Sequence, residues 1–312
     1  MNPRSLTRRD LLRASGTAAL AAAIPFQSPT QHDVANKLPA TAFPARPLQP
    51  PAEGSIPVAF LISNDAVVID FAGPWEVFGN VMIGNRMDLF NCYTVAETAT
   101  PIKASGGMEI VPNFTLAAAP APKVVVIPAQ GSPTKAMLEW VRNSAKTADL
   151  TMSVCTGAFL LAETGLLAGK SATTHHGALM ALQLAYPDIR VKRGARFVED
   201  GNLASAGGLS SGIDLALRVV ERYYGRPVAT ETAFSMEYQG RGWLDPNSNV
   251  EYTKLRASTD TLRFCAVCDM EVDPADAPSS VYQGKSYRFC SVGHKHQFDT
   301  NPEMIVAVLQ KG

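Results

Sequence analysis

Neither sign of charge prevails in this 312-residue chain, where 28 Lys and Arg face 28 Asp and Glu. No global field therefore draws it to nucleic acid, to acidic substrates or to a membrane surface. Cysteine is scarce, and the five present (Cys92, Cys155, Cys265, Cys268 and Cys290) are an odd number with three crowded into the last fifty residues. That is not the even, distributed set with which small secreted domains are stapled; metal ligation plus one reactive thiol fits it better. Long apolar runs are missing too: the alanine-rich stretch from Ala14 to Phe26 falls short of the roughly 20 residues a transmembrane helix needs. No internal repeat is visible.

What is present begins with 46% hydrophobic content, enough over this length for a full core in one main domain with something smaller beside it. The first residues carry an arginine pair, Arg8 and Arg9, then Leu11, Leu12 and Arg13 before the weakly apolar run. The pattern resembles a twin-arginine export signal, with Leu and Arg at the usual Phe and Lys positions. It implies a folded cargo, a periplasmic or secreted destination, and no stable membrane insertion after cleavage near Ala23. Cleavage there removes four arginines and one aspartate, leaving 24 basic and 27 acidic side chains, a mildly acidic mature protein. Residues 27–55, with Pro39, Pro44, Pro47, Pro50 and Pro51, read as linker.

From Ile56 the texture changes. Val58 to Ile62, Val124 to Pro128 and the "TMSV" run before Cys155 are short and continuously apolar, as strands covered on both faces are. Helical patterns lie between them at Gly73 to Asn80, Thr134 to Ala145, Gly157 to Glu163 and Ala178 to Tyr186, followed by a long helix from Ser211 to Tyr224. The Gly225-Arg226-Pro227 stop closes that last helix. "MEIVPNFTL" and "ARFVEDGNLASAG" suit strand or hairpin additions. The alternation predicts an α/β fold, a flavodoxin-like three-layer sandwich with a mainly parallel sheet over 56–240. A linker over 241–262 and a small α+β module over 263–308 complete the expected organisation.

Cys155 falls where a strand should give way to a helix, which in an open α/β sheet is the ligand crevice. The helix N-terminus is expected to lower the thiol pKa. The small residues Thr156, Gly157 and Ala158 allow a sharp turn with amides open to a developing anion, the logic of a nucleophile elbow. A buried spacer cysteine is the competing reading.

At this point the sequence resembles the DJ-1/PfpI family, the class I glutamine-amidotransferase-like sandwiches. The resemblance rests on "VIDFAGPWEVFG", "VVVIPAQG", "SVCTGAFLLAETGLLAGKSATTHH" and "ASAGGLSSGIDLALRVVE". Cys-Thr at the elbow looks most like isonitrile hydratases and the ligand-binding domains of AraC-type regulators. The resemblance implies that Asp70 approaches the nucleophile from the first strand-to-helix loop, that Thr156 positions water or substrate, and that His175 is a candidate orienting group. Turn, cap or plain structural roles stay open for all three, and Glu76 reads as solvent-facing. The Pro128-Ala129-Gln130-Gly131 turn departs from the family's Pro-Gly-Gly, so an anion hole there is left to an amide of Gln130 or Gly131.

The implied activity is that of a cysteine-dependent hydro-lyase converting an isonitrile and water to an N-substituted formamide, with no cofactor needed at Cys155. The competing classes are a small-molecule or metal-sensing binding protein and a redox or carbonyl-stress protein working through an oxidisable Cys155. Relatives are often homodimers.

A second constellation closes the chain. Cys265 and Cys268 have CxxC spacing, and Cys290 and His294 follow, a set suited to a tetrahedral Cys3His zinc site or to Cu(I). An accidental cluster or a Cys265–Cys268 disulfide is the alternative. The segment resembles the YHS domain, with His294 in place of the usual last cysteine and Cys265 in place of an acidic residue. A fold this small has little core, so a metal would supply stability it otherwise lacks.

Overall fold

The computed structural model describes residues 46–253, 258, 262–273 and 276–309. The expected export signal and the linker up to residue 45 lie outside the described residues. The elements run β1 (Ile56–Leu61), α1 (Val68–Gly79), β2 (Phe90–Ala96), the short hairpin β3 (Ile102–Lys103) and β4 (Glu109–Ile110), β5 (Phe114–Thr115) and β6 (Val124–Ile127). Then come α2 (Lys135–Ala145), β7 (Leu150–Val154), α3 (Gly157–Glu163), β8 (Ser171–Ala172), α4 (Leu179–Ala185) and β9 (Arg190–Val191). The hairpin β10 (Phe197–Asp200) and β11 (Leu203–Ala206), then α5 (Ser211–Tyr224) and α6 (Arg226–Ser235), complete the larger body.

Seven strands form one sheet in the order β10-β11-β7-β6-β1-β2-β5. All neighbours are parallel except β10, which returns antiparallel along β11. The central strands are continuously apolar because helices cover both faces. On one side Phe60, Val126 and Met152 meet α1, α5 and α6; on the other Leu61, Val125 and Ile127 meet α2, α3 and α4. Side chains alternate across the pleat, so each strand feeds both cores. Phe60, Ile127, Leu150 and Met152 are wholly buried, each contributing on the order of 1.5–3 kcal/mol of transfer free energy.

Three sequence expectations shift. The first helix begins at Val68 rather than Gly73 and continues through Pro74, so Asp70 sits in its first turn and not in the preceding loop. Gly225, at φ 86°, does end α5, but Pro227 then serves as a first-turn residue of α6, which the stop signal concealed. Residues 241–253, expected as linker, are folded onto the sandwich: Trp243 and Leu244 are buried, and the Trp243 amide donates to Asp214 Oδ1 at 2.9 Å. β2 had no expectation because Asn91, Cys92 and Thr94 interrupt its apolar run. Thr94 is accommodated by Asn113, whose Oδ1 accepts from both its amide and its hydroxyl.

The C-terminal module holds the hairpin β12 (Ser279–Tyr282) and β13 (Lys285–Arg288) followed by α7 (Val292–Thr300) and α8 (Pro302–Leu309). Its core gathers Phe289, Phe298, Ile305 and Val306, and Met180 and Leu184 of α4 join that core from the sandwich.

Candidate active site and metal centre

Cys155 occupies the sharp turn between β7 and α3 with φ 57°, a left-handed conformation uncommon for a non-glycine residue. Hydrogen bonds hold it there: its amide donates to the Gly207 carbonyl at 2.9 Å, and the Thr174 hydroxyl donates to its carbonyl at 2.8 Å. Backbone strain of this kind, over-determined by its surroundings, clusters at functional sites. The turn also needs Gly157. A methyl there would lie 2.2 Å from the Ile127 carbonyl oxygen and 2.7 Å from that of Pro128. Although alanine is the better helix former, Gly157→Ala is expected to cost about 1–3 kcal/mol through overpacking against backbone that cannot yield. Thermal unfolding checks this, and an unchanged melting temperature would refute the close approach.

The Cys155 side chain is 6% exposed. Its sulfur takes hydrogen bonds from the amides of Thr156 and Leu209 and from the Thr156 hydroxyl, three donors suited to a sulfur anion. Burial and the facing Asp70 carboxylate outweigh them and push the thiol up to about 11. The expectation of a depressed pKa is thus corrected. The helix behind the thiol has only seven residues, and desolvation beside a negative charge is the larger effect.

Asp70 is fully buried against this thiol. One carboxylate oxygen, Oδ2, accepts the Ala129 amide at 3.1 Å, while Oδ1 has no hydrogen-bond partner among the described residues. Burial lifts its pKa to about 6, opposed by the Ala129 amide and by Cys155. The two groups form a coupled pair that keeps one proton between about 6 and about 11, held as thiol beside carboxylate.

Thr156 is exposed and stands at the N-cap position of α3, where its hydroxyl makes no capping bond to the helix. His175 does not bond the sulfur. Its Nδ1 accepts the Gly177 amide at 3.2 Å, and its ring lies against Gly208, where a methyl would stand 2.4 Å from Cδ2. It supports the Gly208-Leu209 turn, and through it the Leu209 amide on sulfur. In the altered turn, the Ala129 amide serves Asp70 and the Gly131 amide serves the Asn64 carbonyl at 3.0 Å, so Gly131 offers no anion hole. The buried Gln130 Oε1 has no partner among the described residues. Glu76 is exposed, as expected. Sequence reasoning missed Leu209 and Gly208; the glycine pair before α5 was their signal.

In the C-terminal module, one ligand atom from each of Cys265, Cys268, Cys290 and His294 lies within 4.8 Å of all the others. Cys268 and Cys290 sulfurs are 3.5 Å apart, and His294 Nδ1 is 3.5 Å from Cys265 and 3.1 Å from Cys290. Tetrahedral zinc, with Zn–S near 2.3 Å and Zn–N near 2.0–2.1 Å, requires separations of about 3.5–3.8 Å; the two 3.5 Å separations match that, and small side-chain adjustments of the others would let this Cys3His set hold a metal. Hydrogen bonding from Cys268 and His294 pulls the Cys265 thiol down to about 3, while Cys268 is pushed up. Ser291 caps α7 by accepting the His294 amide at 3.1 Å, which fixes the imidazole over the cysteines.

A doubly wound sheet with a strained cysteine at a strand-to-helix turn and a buried carboxyl group beside it defines a thiol-centred α/β class. The chain belongs to the DJ-1/PfpI family, whose profile matches residues 57–222. It is 29% identical over 194 residues to an isonitrile hydratase of Pseudomonas putida, covering 59% of this chain and 79% of that one. It is also 29% identical over 157 residues to the HTH-type transcriptional regulator CdhR of Pseudomonas aeruginosa, but spans only 46% of that regulator's length and 48% of its own. Among solved structures, a THiJ/PfpI family protein from Pseudomonas syringae superposes with a TM-score of 0.54 at 26% identity, covering 70% of this chain and 83% of that one.

Proposed function

We propose that the protein is an exported cysteine-dependent hydratase acting on small isonitriles, with a structural metal in its C-terminal YHS-like module. The observation that carries this reading is the buried Asp70 carboxylate, one oxygen anchored and the other unpartnered, facing a thiol cradled by three donors.

The chemistry follows from that pair. Asp70 takes the Cys155 proton and passes it to the terminal carbon of R–N≡C as sulfur bonds to the same carbon, giving a thioimidate, R–N=CH–S. Asp70, a carboxylate again, accepts a proton from water held at Thr156, hydroxide adds to carbon, and the proton moves to nitrogen. The C–S bond then breaks, the hydroxyl proton returns to sulfur through Asp70, and R–NH–CHO leaves. The amides of Thr156 and Leu209 stabilise the sulfur anion when it attacks and again when it departs.

The metal supplies rigidity rather than a step. Cys265, Cys268, Cys290 and His294 would hold it.

Two measurements test the proposal. Conversion of small isonitriles to formamides should disappear in Cys155→Ser; full turnover there would rule out covalent catalysis. The pH profile of kcat/KM should rise through about 6 as Asp70 becomes a base and fall near 11 as the thiol proton is lost. A profile flat across the lower limb would remove Asp70 from the mechanism.

A further inference from the structure

A well-formed concavity lies away from the thiol: Cys155 and Asp70 are not among its lining residues. A cavity of about 640 Å³ opens beside β10, the antiparallel edge strand of the sheet. That volume suits a small organic ligand. Phe197, Trp243, Leu244 and Pro246 supply apolar wall, while Arg46, Lys192, Arg193, Arg218 and Arg222 bring positive charge against the single carboxylate of Glu199.

The charges do not cancel. Glu199 is already spent, with Oε2 accepting Arg218 Nε at 3.0 Å and Oε1 accepting Arg222 Nη1 at 2.9 Å. Arg218 has Glu221 at 3.2 Å as well. Arg193 is different: it is only partly exposed, burial alone lowers its pKa, and it has no carboxylate or hydrogen-bond partner among the described residues. The ammonium of Lys192, exposed beside it, has none there either.

A half-buried guanidinium without an anion keeps donors that an anionic ligand entering the cavity can take up. The backbone around Arg193 is also held in advance. The Lys192 amide donates to Ala172, the Thr173 hydroxyl to the Lys192 carbonyl, and the Asn249 amide to the Gly194 carbonyl at 3.1 Å. Gly194, at φ 75°, lies against Val250 and Thr253, where a Cβ would stand 3.1 Å from Thr253 Cγ2 and 3.3 Å from Val250 Cα. The stretch expected to be a linker thus braces one wall of the cavity.

We propose that this cavity is a second binding site, for a small organic anion whose carboxylate or phosphate pairs with Arg193 and Lys192 and whose apolar part lies along Phe197 and Trp243. Arg193 offers the planar fork that carboxylate and phosphate accept in pairs of hydrogen bonds. The proposal does not depend on the thiol chemistry.

Calorimetric titration of the full chain with phenyl phosphate, benzoate and inorganic phosphate tests it. Saturable binding of at least one organic anion is expected, tighter than that of inorganic phosphate, and whichever headgroup binds better identifies the ligand's charge. Arg193→Ala should weaken the organic anion about tenfold or more, the size of one charge-assisted interaction. Lys192→Ala, an exposed change with little bearing on folding, should weaken it and flatten its salt dependence. Cys155→Ser should leave the affinity unchanged. Absence of saturation by any probe at millimolar concentration, indifference to both basic substitutions, or loss of binding in Cys155→Ser would each overturn the assignment.

Discussion

Asp70→Asn is expected to abolish turnover and, at neutral pH, to make the protein more stable. Both effects come from one buried carboxyl group. For turnover, asparagine keeps the shape and an oxygen for the Ala129 amide but can neither take the thiol proton nor deliver it to carbon. Loss of a positioned general acid–base costs about 10²–10⁴-fold in rate. For stability, the sign follows from the raised pKa. Below about pH 4 native and unfolded chains both carry the proton, and Asp70 makes no difference. Between about 4 and 6 the unfolded chain releases it first, because the native group titrates near 6 rather than 3.8. Native stability falls across that window by about 3 kcal/mol and stays lowered above it. Asparagine never ionises, so the variant should unfold several degrees higher at pH 7 and lose the advantage towards pH 4. Thermal unfolding at both pH values, beside formamide formation, checks the pair of effects. An inactive variant that is also destabilised at pH 7 would show that Asp70 serves the fold rather than the reaction.

The second large effect concerns the metal. Cys268→Ser should abolish stoichiometric metal retention and release the C-terminal module, seen as rapid proteolysis beyond residue 262. Structural zinc in small domains is worth about 10–16 kcal/mol of apparent binding free energy, far more than this module's core can replace. The core is small: Phe289, Phe298, Ile305 and Val306, with part of its covering borrowed from Met180 and Leu184. Because the module's Cys268 carbonyl sits where a methyl on Gly177 would come within 3.0 Å, its departure should also free the His175–Ala178 turn. Faster alkylation of Cys155 in the metal-free protein is the expected readout, and metal retained by Cys268→Ser would reject the ligand assignment.

Much of this architecture could be read from residues. Val58 to Ile62 and Val124 to Ile127 announce strands buried on both faces, because nothing polar interrupts them. Cys155 followed by Thr156 and Gly157 announces the elbow, since only small residues fit under Ile127 and Pro128. The four members of the Cys3His cluster are legible from their spacing. Other features depend on contacts that no local pattern carries. The raised Cys155 pKa comes from burial by the folded sandwich and then from Asp70, 85 positions earlier in the chain. Residues 242–253 look like linker because their anchors, Asp214 and the Gly194 turn, are remote in sequence. The unmatched charge of Arg193 becomes apparent only once Glu199 is seen to be committed to Arg218 and Arg222.

Met180, buried, and Leu184, partly buried, belong to the sandwich by sequence yet pack into the core of the neighbouring module. A shortened gene product ending before residue 262 would carry that bare apolar patch into solution. Dividing the protein at its apparent domain boundary would therefore yield a sticky fragment rather than a self-sufficient domain, and the natural unit of expression is the pair.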